Sequence, residues 1–146
     1  MVNNSLKNAT GEISEMGLEE WMEIIYNIHP GDREIKKWEQ KFLGKISLPS
    51  RYAVVKQNGK ACGYGRSVQL GNILNIEKIW VDAYMRNQGF GTQLIQGLLG
   101  RGIRDGAEIA YVTVNESNMD AQRLYRRLGF ETKYKYHYFV LQNETD

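Results

Sequence analysis

The sequence predicts an α/β (α+β) fold in which helices flank a mixed sheet, in the order ααβββαβαβ. Two helical patterns come first, three strand-like segments joined by short turns follow, and two helices then alternate with two more strands. Residues 74–114 predict a strand, a helix and a second strand, which is typical of a parallel crossover. With 146 residues, of which 42% are hydrophobic, the chain has room for a single domain with its own core.

The amino-terminal part of the chain predicts two helices. Residues 1–15 have no usable period, so we expect poor order there, no evident first strand, and regular structure from about residue 16. The first helix carries apolar residues at helical spacing: Leu18, Trp21, Ile25 and Ile28. After a break at 30–32, the second helix carries another such set: Ile35, Trp38 and Phe42. Gly44 is well placed to end it.

The middle of the chain predicts a meander of three strands. Asn58-Gly59 separates strand-like segments at 52–57 and 60–69, and this dipeptide strongly favours a two-residue hairpin. A turn at 71–72 leads into a third strand over 74–81, and a helix is predicted over 92–104. Each interior glycine of that helix costs about 1 kcal/mol relative to alanine, so a close approach or packing must compensate: Gly97, Gly100 and Gly102.

The last third predicts a strand, a helix and a strand. The first strand covers 109–114, a loop follows at 115–117, and the helix covers about 118–128 before Gly129 ends it. The final strand, over 130–141, is dense in tyrosine, and as an edge strand it offers a way to form a homodimer.

Composition limits the classes of partner. Nineteen basic and 17 acidic side chains give a net charge of +2, too small to indicate nucleic-acid or membrane binding through bulk charge. No apolar run has the length of a membrane span, and the polar start lacks the apolar centre of a signal peptide, so we expect a cytoplasmic protein. The single cysteine, Cys62, forms no internal disulfide, and zinc-ligand spacing is missing, so no metal is expected.

A glycine-containing turn between the strand at 76–81 and the following helix predicts a phosphate-binding site. Its sequence is Arg86-Asn87-Gln88-Gly89-Phe90-Gly91-Thr92. Such a turn presents backbone N–H groups at the positive end of a helix dipole. A dinucleotide fingerprint would need glycine where Leu94 stands, and the Gly-Lys pair of a Walker loop is absent. An ordinary strand-to-helix turn is the alternative reading.

A downstream segment decides between these readings. It has the pattern Asn118-x-x-Ala121-x-x-Leu124-Tyr125-x-x-Leu128-Gly129-Phe130. Together with the turn, over about residues 76–130, it strongly resembles the GNAT superfamily of acyl-CoA-dependent N-acetyltransferases. The resemblance implies one GNAT-type domain over 1–146, a mostly antiparallel sheet of about six strands, and acetyl-CoA (coenzyme A) as co-substrate.

The resemblance also implies where the cofactor binds. Turn amides would cradle the diphosphate of coenzyme A: Asn87, Gln88, Gly89, Phe90, Gly91 and Thr92. Arg86 is grouped with them. One of four arginines could pair with a phosphate of the cofactor, with plain solvation as the alternative: Arg86, Arg123, Arg126 and Arg127. The strand before the turn would splay from its neighbour and pair with the pantetheine arm through backbone groups: Ile79, Trp80 and Val81. Asn118 resembles the asparagine that bonds the arm, although it can also simply cap a helix.

Two catalytic roles follow from acyl transfer to an amine. Tyr125 resembles the family's general acid, since a phenol with a pKa of about 10 can donate to the departing thiolate; the alternative is a core tyrosine. The base is less clear, because Thr113 stands where some relatives have glutamate. Glu77 is our candidate, since a regular strand would put it on one face with Ile79 and Val81. A plain surface carboxylate is its alternative. Weaker candidates for the base are Glu116, His137 and solvent.

These patterns predict an N-acetyltransferase that acts on a primary amine of a small molecule or a peptide. A non-catalytic acyl-CoA-binding or regulatory module is the alternative from another class. A third reading, acetylation of aminoacyl-tRNA, would need a basic surface that the net charge of +2 does not indicate.

Overall fold

A computed structural model describes residues 11–133 and 135. Its strands are β1 (Glu12–Met16), β2 (Ser50–Gln57), β3 (Lys60–Leu70), β4 (Ile73–Val81) and β5 (Ile109–Val112). Its α-helices are α1 (Leu18–Ile28), α2 (Arg33–Gly44), α3 (Phe90–Arg104) and α4 (Met119–Arg127), and a 3-10 turn covers Ala83–Met85. Within these residues, no helix combines the length and the apolar character needed to cross a bilayer.

The strands form one sheet in the order β1-β2-β3-β4-β5. All neighbours are antiparallel except β4 and β5, which are parallel and connected by α3. The predicted mixed, mostly antiparallel fold and the parallel crossover are therefore confirmed, with five strands among the described residues. The strand predicted over 130–141 falls mostly outside the described residues, and 130–133 are not in a strand.

The expectation that no strand precedes the first helix is wrong. Strand β1 pairs antiparallel with β2, from Glu12 opposite Lys56 to Met16 opposite Tyr52. The segment has only two apolar residues, Ile13 and Met16, and their spacing of three matches no strand alternation. Each packs against a different core cluster, so long-range packing forms this strand where local pattern predicts none.

The predicted hairpin between β2 and β3 is confirmed in detail. Asn58 has φ 52° and Gly59 has φ 77°, so both central residues of the turn are left-handed. Two-residue hairpins favour such turns because their twist matches that of the strands, and asparagine followed by glycine tolerates this conformation best.

Each face of the sheet carries its own core. Helices α3 and α4 cover one face around a cluster that includes Leu74, Ile76, Leu94, Ile95 and Leu98. Helices α1 and α2 cover the other face around Trp21, Met22, Leu43, Tyr52 and Val54. The Trp21 indole N–H also donates to the carbonyl of Ala53 at 3.1 Å, so this buried ring satisfies its only polar group.

The apolar stripe that predicted α2 does not enter the core. The helix is present, but the exposed fractions of Ile35, Trp38 and Phe42 are 60%, 70% and 69%. The neighbouring residue Leu43 is buried instead and anchors the helix to the sheet. Periodicity thus located the helix correctly while pointing to the wrong face.

Two of the three interior glycines of α3 lie where another element approaches its backbone. A Cβ at Gly102 would stand 2.5 Å from Leu74 Cδ2, and one at Gly97 would stand 3.0 Å from Ile13 Cδ1. At Gly100 nothing lies within 4 Å. Close packing onto the sheet therefore accounts for the glycines at 97 and 102, despite their cost to helix stability. Gly100 has no such contact.

Candidate functional site

Strands β4 and β5 part near the middle of β4. Their parallel pairing ends at Ile76 opposite Val112, whereas β4 continues to Val81 in register with β3. The backbone of β4 from Glu77 onward therefore has no β5 partner. This divergence opens a gap in the sheet at the end of β4 that leads to the glycine turn.

A β-bulge lies in the same part of β4. Tyr64 pairs with Trp80 and Arg66 pairs with Glu77, so two steps along β3 match three along β4. Lys78, in the bulge, has φ 54°, which is uncommon for a residue with a side chain. The extra residue reverses the alternation of side chains, so that Glu77 shares a face with Trp80 rather than with Ile79 and Val81.

The turn before α3 leaves the first amides of that helix without side-chain caps. Gly89 is the N-cap residue with φ 87°, and Asn87 has φ 62°. The first N–H groups of a helix have no acceptor within the helix, and a glycine N-cap supplies no side chain to them. The left-handed turn aims these donors toward the gap, which makes the position suited to an anion.

The gap, the turn and α4 enclose one cavity of about 550 Å³. Most of the residues predicted to bind or react with a cofactor line it: Ile79, Trp80, Val81, Arg86, Asn87, Gly89, Phe90, Gly91, Thr92, Asn118 and Tyr125. Gln88 is not among the lining residues; its side-chain amide donates to the carbonyl of Tyr84 at 3.4 Å. The structure thus brings together two sequence motifs that lie about thirty residues apart.

Sequence reasoning did not assign several further lining residues. These are Met85, Gln96, Asp120, Ala121, Leu124 and Leu128, whereas Arg127 also lines the cavity and was among the four arginines offered as phosphate partners. The spacing on α4 carried a usable signal, because Ala121, Leu124, Tyr125 and Leu128 recur at the period of one helix face. That face looks into the cavity.

Asn118 both caps α4 and lines the cavity. Its side-chain oxygen accepts a hydrogen bond from the N–H of Ala121 at 3.1 Å, which is the usual N-cap interaction. The side-chain NH₂ has no part in that bond, so capping leaves this group available for a ligand in the cavity.

Tyr125 is a buried residue of the cavity wall. Its ring contacts Phe130 edge to face, with 5.5 Å between centroids. Burial raises the pKa of Tyr125 to about 12, because the ionised phenolate would lose hydration. The hydroxyl therefore keeps its proton throughout the neutral range and can act as a hydrogen-bond donor.

Gly91 lies where α3 and α4 meet. A Cβ at this position would stand 3.0 Å from Leu124 Cδ2 and 3.5 Å from Val81 Cγ2. The absence of a side chain therefore allows the close contact of α3 with α4 and with the end of β4, in addition to leaving the backbone accessible from the cavity.

The prediction that Glu77 shares a face with Ile79 and Val81 is wrong, and its role as the base stays a prediction. Arg66 Nε donates to Glu77 Oε1 at 3.0 Å and Arg66 Nη2 donates to the same oxygen. Glu77 lines neither this cavity nor the one described next. The bulge is the physical reason, since it moves the carboxylate to the opposite face of the sheet.

Glu116, one of the weaker candidates for the base, lines neither cavity. Glu116 is exposed and pairs with Lys135 at 3.0 Å, and Thr113 lines neither cavity. His137 lies outside the described residues.

A second cavity, of about 560 Å³, lies on the opposite face of the sheet against α1 and α2. It shares Ile79 and Trp80 with the first cavity, so the two spaces border the same end of β4. Its aromatic wall consists of Trp80 stacked on Tyr64 at 5.2 Å, with His29 edge-on to Trp80 at 4.8 Å. No sequence motif indicated this cavity, because three separate segments of the chain form it.

Glu39 of α2 is the centre of a hydrogen-bond network in the second cavity. It accepts hydrogen bonds from the Tyr26 hydroxyl at 2.8 Å and from Lys78 Nζ at 2.6 Å. Burial opposes ionisation of Glu39, but the bonds from Lys78 and Tyr26 outweigh it and hold the pKa of Glu39 below its ordinary value. The bulge residue Lys78 thereby ties β4 to α2.

Within residues 11–133, no group of three or more His, Cys, Asp or Glu side chains is arranged to hold a metal ion. The polar groups that line the cavities are backbone amides, two asparagines, a glutamine, a threonine, a histidine, phenols and a few charged side chains. This set suits an organic anion on one side of β4 and a polar organic molecule on the other.

Comparison with known proteins gives concordant results. Residues 17–130 match the family described as the acetyltransferase (GNAT) family. An uncharacterised N-acetyltransferase of Methanocaldococcus jannaschii is 26% identical over 147 aligned positions, which cover 90% of this chain. The chain spans 65% of the length of that relative.

Solved structures share the fold at low identity. The aminoglycoside acetyltransferase AAC(6')-Iy, in complex with the bisubstrate analogue CoA-S-monomethyl-acetylneamine, has a TM-score of 0.72 and 18% identity, covering 92% of this chain and 99% of its own. Glucosamine-6-phosphate N-acetyltransferase from Arabidopsis thaliana has a TM-score of 0.69 and 14% identity, covering 91% and 99%. At such identities the likeness shows a common fold.

Proposed function

Because the chain belongs to the GNAT family of acetyltransferases, we propose that it transfers an acetyl group from acetyl-CoA to a primary amine. One observation carries the proposal. The gap between β4 and β5, the uncapped amides of α3 and the hydroxyl-bearing Tyr125 all belong to a single cavity. An elongated thioester with a diphosphate at one end matches that sequence of features.

The chain's own groups fit coenzyme A. Backbone amides over 87–92 are suited to the diphosphate, since Gly89 leaves them without a side-chain cap. Two cationic side chains on the cavity wall, Arg86 and Arg127, add positive charge. The unpaired backbone of β4 at 79–81 can bond the amides of the pantetheine arm, and the Asn118 amide can contact it from α4.

Tyr125 would act on the departing sulfur. When an amine attacks the acetyl carbonyl, the carbon–sulfur bond breaks and the thiolate gains negative charge. A phenol with a pKa of about 12 is a weak acid and stays protonated. Its hydroxyl would therefore stabilise the thiolate chiefly as a hydrogen-bond donor. A backbone N–H of β4 at 79–81 would stabilise the carbonyl oxygen in the same step.

The acceptor amine would enter through the second cavity. That cavity shares Ile79 and Trp80 with the first, so a nucleophile there can approach the thioester from the face that the cofactor leaves open. Its aromatic walls and the carboxylates of Asp32 and Glu39 suit a small protonated amine. The acetyltransferases of similar fold act on amino sugars and aminoglycosides, which supports a small-molecule acceptor.

The test measures free thiol released from acetyl-CoA in the presence of kanamycin, glucosamine, spermidine, tyramine or glycinamide. We expect at least one amine to raise thiol release well above the rate with acetyl-CoA alone, with the acetylated amine found by mass spectrometry. Calorimetry with acetyl-CoA separates the alternatives. Tight binding without turnover of any amine favours an acyl-CoA-binding module, and absence of binding rejects both functions.

A further inference from the structure

His29 occupies a distinctive position in the second cavity. It follows the last residue of α1, its side chain is exposed, and it lines the cavity beside Trp80. Its ring contacts two aromatic residues edge to face, Trp80 at 4.8 Å and Tyr64 at 5.9 Å between centroids. Trp80 also lines the first cavity, so one side chain separates the imidazole from the thioester-binding region.

The reaction needs a group that removes a proton. A primary amine is mostly protonated at neutral pH and cannot attack a carbonyl until it becomes neutral. Glu77, the candidate from sequence, pairs with Arg66 and lines neither cavity. Among the described residues, the groups of the second cavity are therefore the next candidates for the base.

The other titratable groups of that cavity are poorly suited to this task. Glu39 already accepts hydrogen bonds from Tyr26 and Lys78, and its pKa is lowered, which weakens it as a base. The Asp32 carboxylate accepts a hydrogen bond from the backbone N–H of Glu34 at 2.8 Å, because Asp32 is the N-cap of α2. Burial raises the pKa of Tyr64 and of Tyr26, so both phenols stay protonated at neutral pH.

We propose that His29 is the general base that deprotonates the acceptor amine, an inference that rests on the proposed acetyl transfer. A neutral imidazole nitrogen takes a proton from the ammonium group. The freed lone pair forms the new carbon–nitrogen bond, the carbon–sulfur bond breaks, and the nitrogen gives up its second proton to solvent as the neutral amide forms. The sulfur leaves as a thiolate hydrogen-bonded to Tyr125. Because the His29 side chain is exposed, the imidazolium passes its proton to solvent.

The charged and titratable groups facing His29 come from every element around the cavity. Tyr26 comes from α1, Asp32 and Glu39 from α2 and its cap, Tyr64 from β3 and Lys78 from β4. The two carboxylates attract the incoming ammonium, whereas Lys78 is already held by Glu39. A neutral imidazole has one ring nitrogen that can accept a proton, which suits it to act as a general base.

The first test is the pH dependence of kcat/KM with acetyl-CoA and whichever of the five amines named above turns over fastest. The wild type should show an acid limb, because protonation of the base stops it from accepting the proton of the amine. His29→Gln should lack that limb and fall at least about tenfold at pH 7, with its rate rising steadily toward the pKa of the free amine. A wild-type profile in His29→Gln overturns the assignment.

Chemical rescue distinguishes a base from a structural residue. Added imidazole should restore much of the activity of His29→Ala, because that variant leaves an open space beside Trp80 in an exposed cavity. Asn27→Ala, an exposed change on the same helix, should match the wild type in rate and should not respond to imidazole. Lack of rescue in a folded His29→Ala that still binds acetyl-CoA overturns the proposal.

The two proposals fail in different ways. If the wild type transfers acetyl groups and His29 variants keep its rate and pH profile, only the base is wrong. If the wild type acetylates none of the five amines, the proposed acetyl transfer to small amines is rejected and the role of His29 is rejected with it.

Discussion

Arg66 and Glu77 form an ion pair between β3 and β4, with Arg66 Nε 3.0 Å from Glu77 Oε1. The arginine is only 5% exposed, so its charge depends on this carboxylate for compensation. The pair exists because the bulge at Lys78 rotates Glu77 to the α1 and α2 side of the sheet. Glu77 is therefore the counter-ion of a buried arginine.

Replacing this carboxylate should cost stability. We expect Glu77→Gln to lower the free energy of unfolding by about 1–3 kcal/mol, because a buried guanidinium loses its counter-charge while Glu77 itself is partly exposed. Urea denaturation measures the change. The matched control is Glu34→Gln, which breaks an exposed pair with Lys37 at 3.8 Å and should cost less than about 0.5 kcal/mol. A Glu77→Gln protein that keeps its stability but loses the acid limb of kcat/KM would restore Glu77 as the base.

Tyr125→Phe should lower kcat by about tenfold or more. The hydroxyl is the only group removed, and it is expected to matter when the thiolate forms. Affinity for coenzyme A, measured by calorimetry, should stay close to that of the wild type, because the ring still packs on Phe130. Unchanged turnover would remove Tyr125 from the mechanism.

Tyr125 should also make the fold sensitive to alkali. Its pKa is about 12 in the folded protein against an ordinary 10.0, so between these values the unfolded chain binds fewer protons than the native one. The contribution of Tyr125 to the free energy of unfolding is then fully present below pH 10. It falls by about 2–3 kcal/mol as the pH rises toward 12. Denaturant titrations at increasing pH should show a smaller loss for Tyr125→Phe. Any loss of stability with rising pH that remains in Tyr125→Phe is expected from Tyr26 and Tyr64, whose pKa values are also raised.

Gly91→Val should abolish binding of acetyl-CoA. A Cβ there already stands 3.0 Å from Leu124 Cδ2, and the two further methyl groups of valine would push α4 away from α3 and narrow the cavity. Calorimetry on the variant, with circular dichroism to verify folding, measures the effect. Wild-type affinity in a folded Gly91→Val protein would contradict the proposed cofactor site.

Two glycines of α3 should respond to alanine in opposite ways. Gly100→Ala should raise stability by about 0.5–1 kcal/mol, because nothing lies within 4 Å of the new Cβ. Gly102→Ala should lower stability by about 1–3 kcal/mol, because its Cβ would stand 2.5 Å from Leu74 Cδ2. Thermal unfolding of the pair under one condition is the measurement. Equal shifts would mean that α3 does not pack on β4 as described.

Local patterns in the chain were sufficient to predict much of the fold and most of the residues that line the first cavity. Asn58-Gly59 predicted the hairpin because its left-handed turn depends on those two residues alone. The glycine turn and the Asn118 to Phe130 segment predicted a cavity that the structure assembles from both. Each of these features depends on neighbours within a few residues, which is the range that a sequence pattern records.

Contacts between distant segments decided the rest. The bulge at Lys78 places Glu77 on the other face of the sheet from the one that regular alternation predicts. Ile13 packs on α3, and its segment forms a strand although its sequence lacks strand alternation. On α2, Trp38 is exposed to solvent although the helical pattern placed it on the apolar face. The second cavity brings His29 and Glu39 to Trp80, more than forty residues away. The sequence by itself determined the order of elements from α1 to α4 and the glycine turn before α3, since backbone conformation and helix dipoles are local. Only the tertiary structure decided which side chains face the acceptor, because that depends on where long-range packing places each strand.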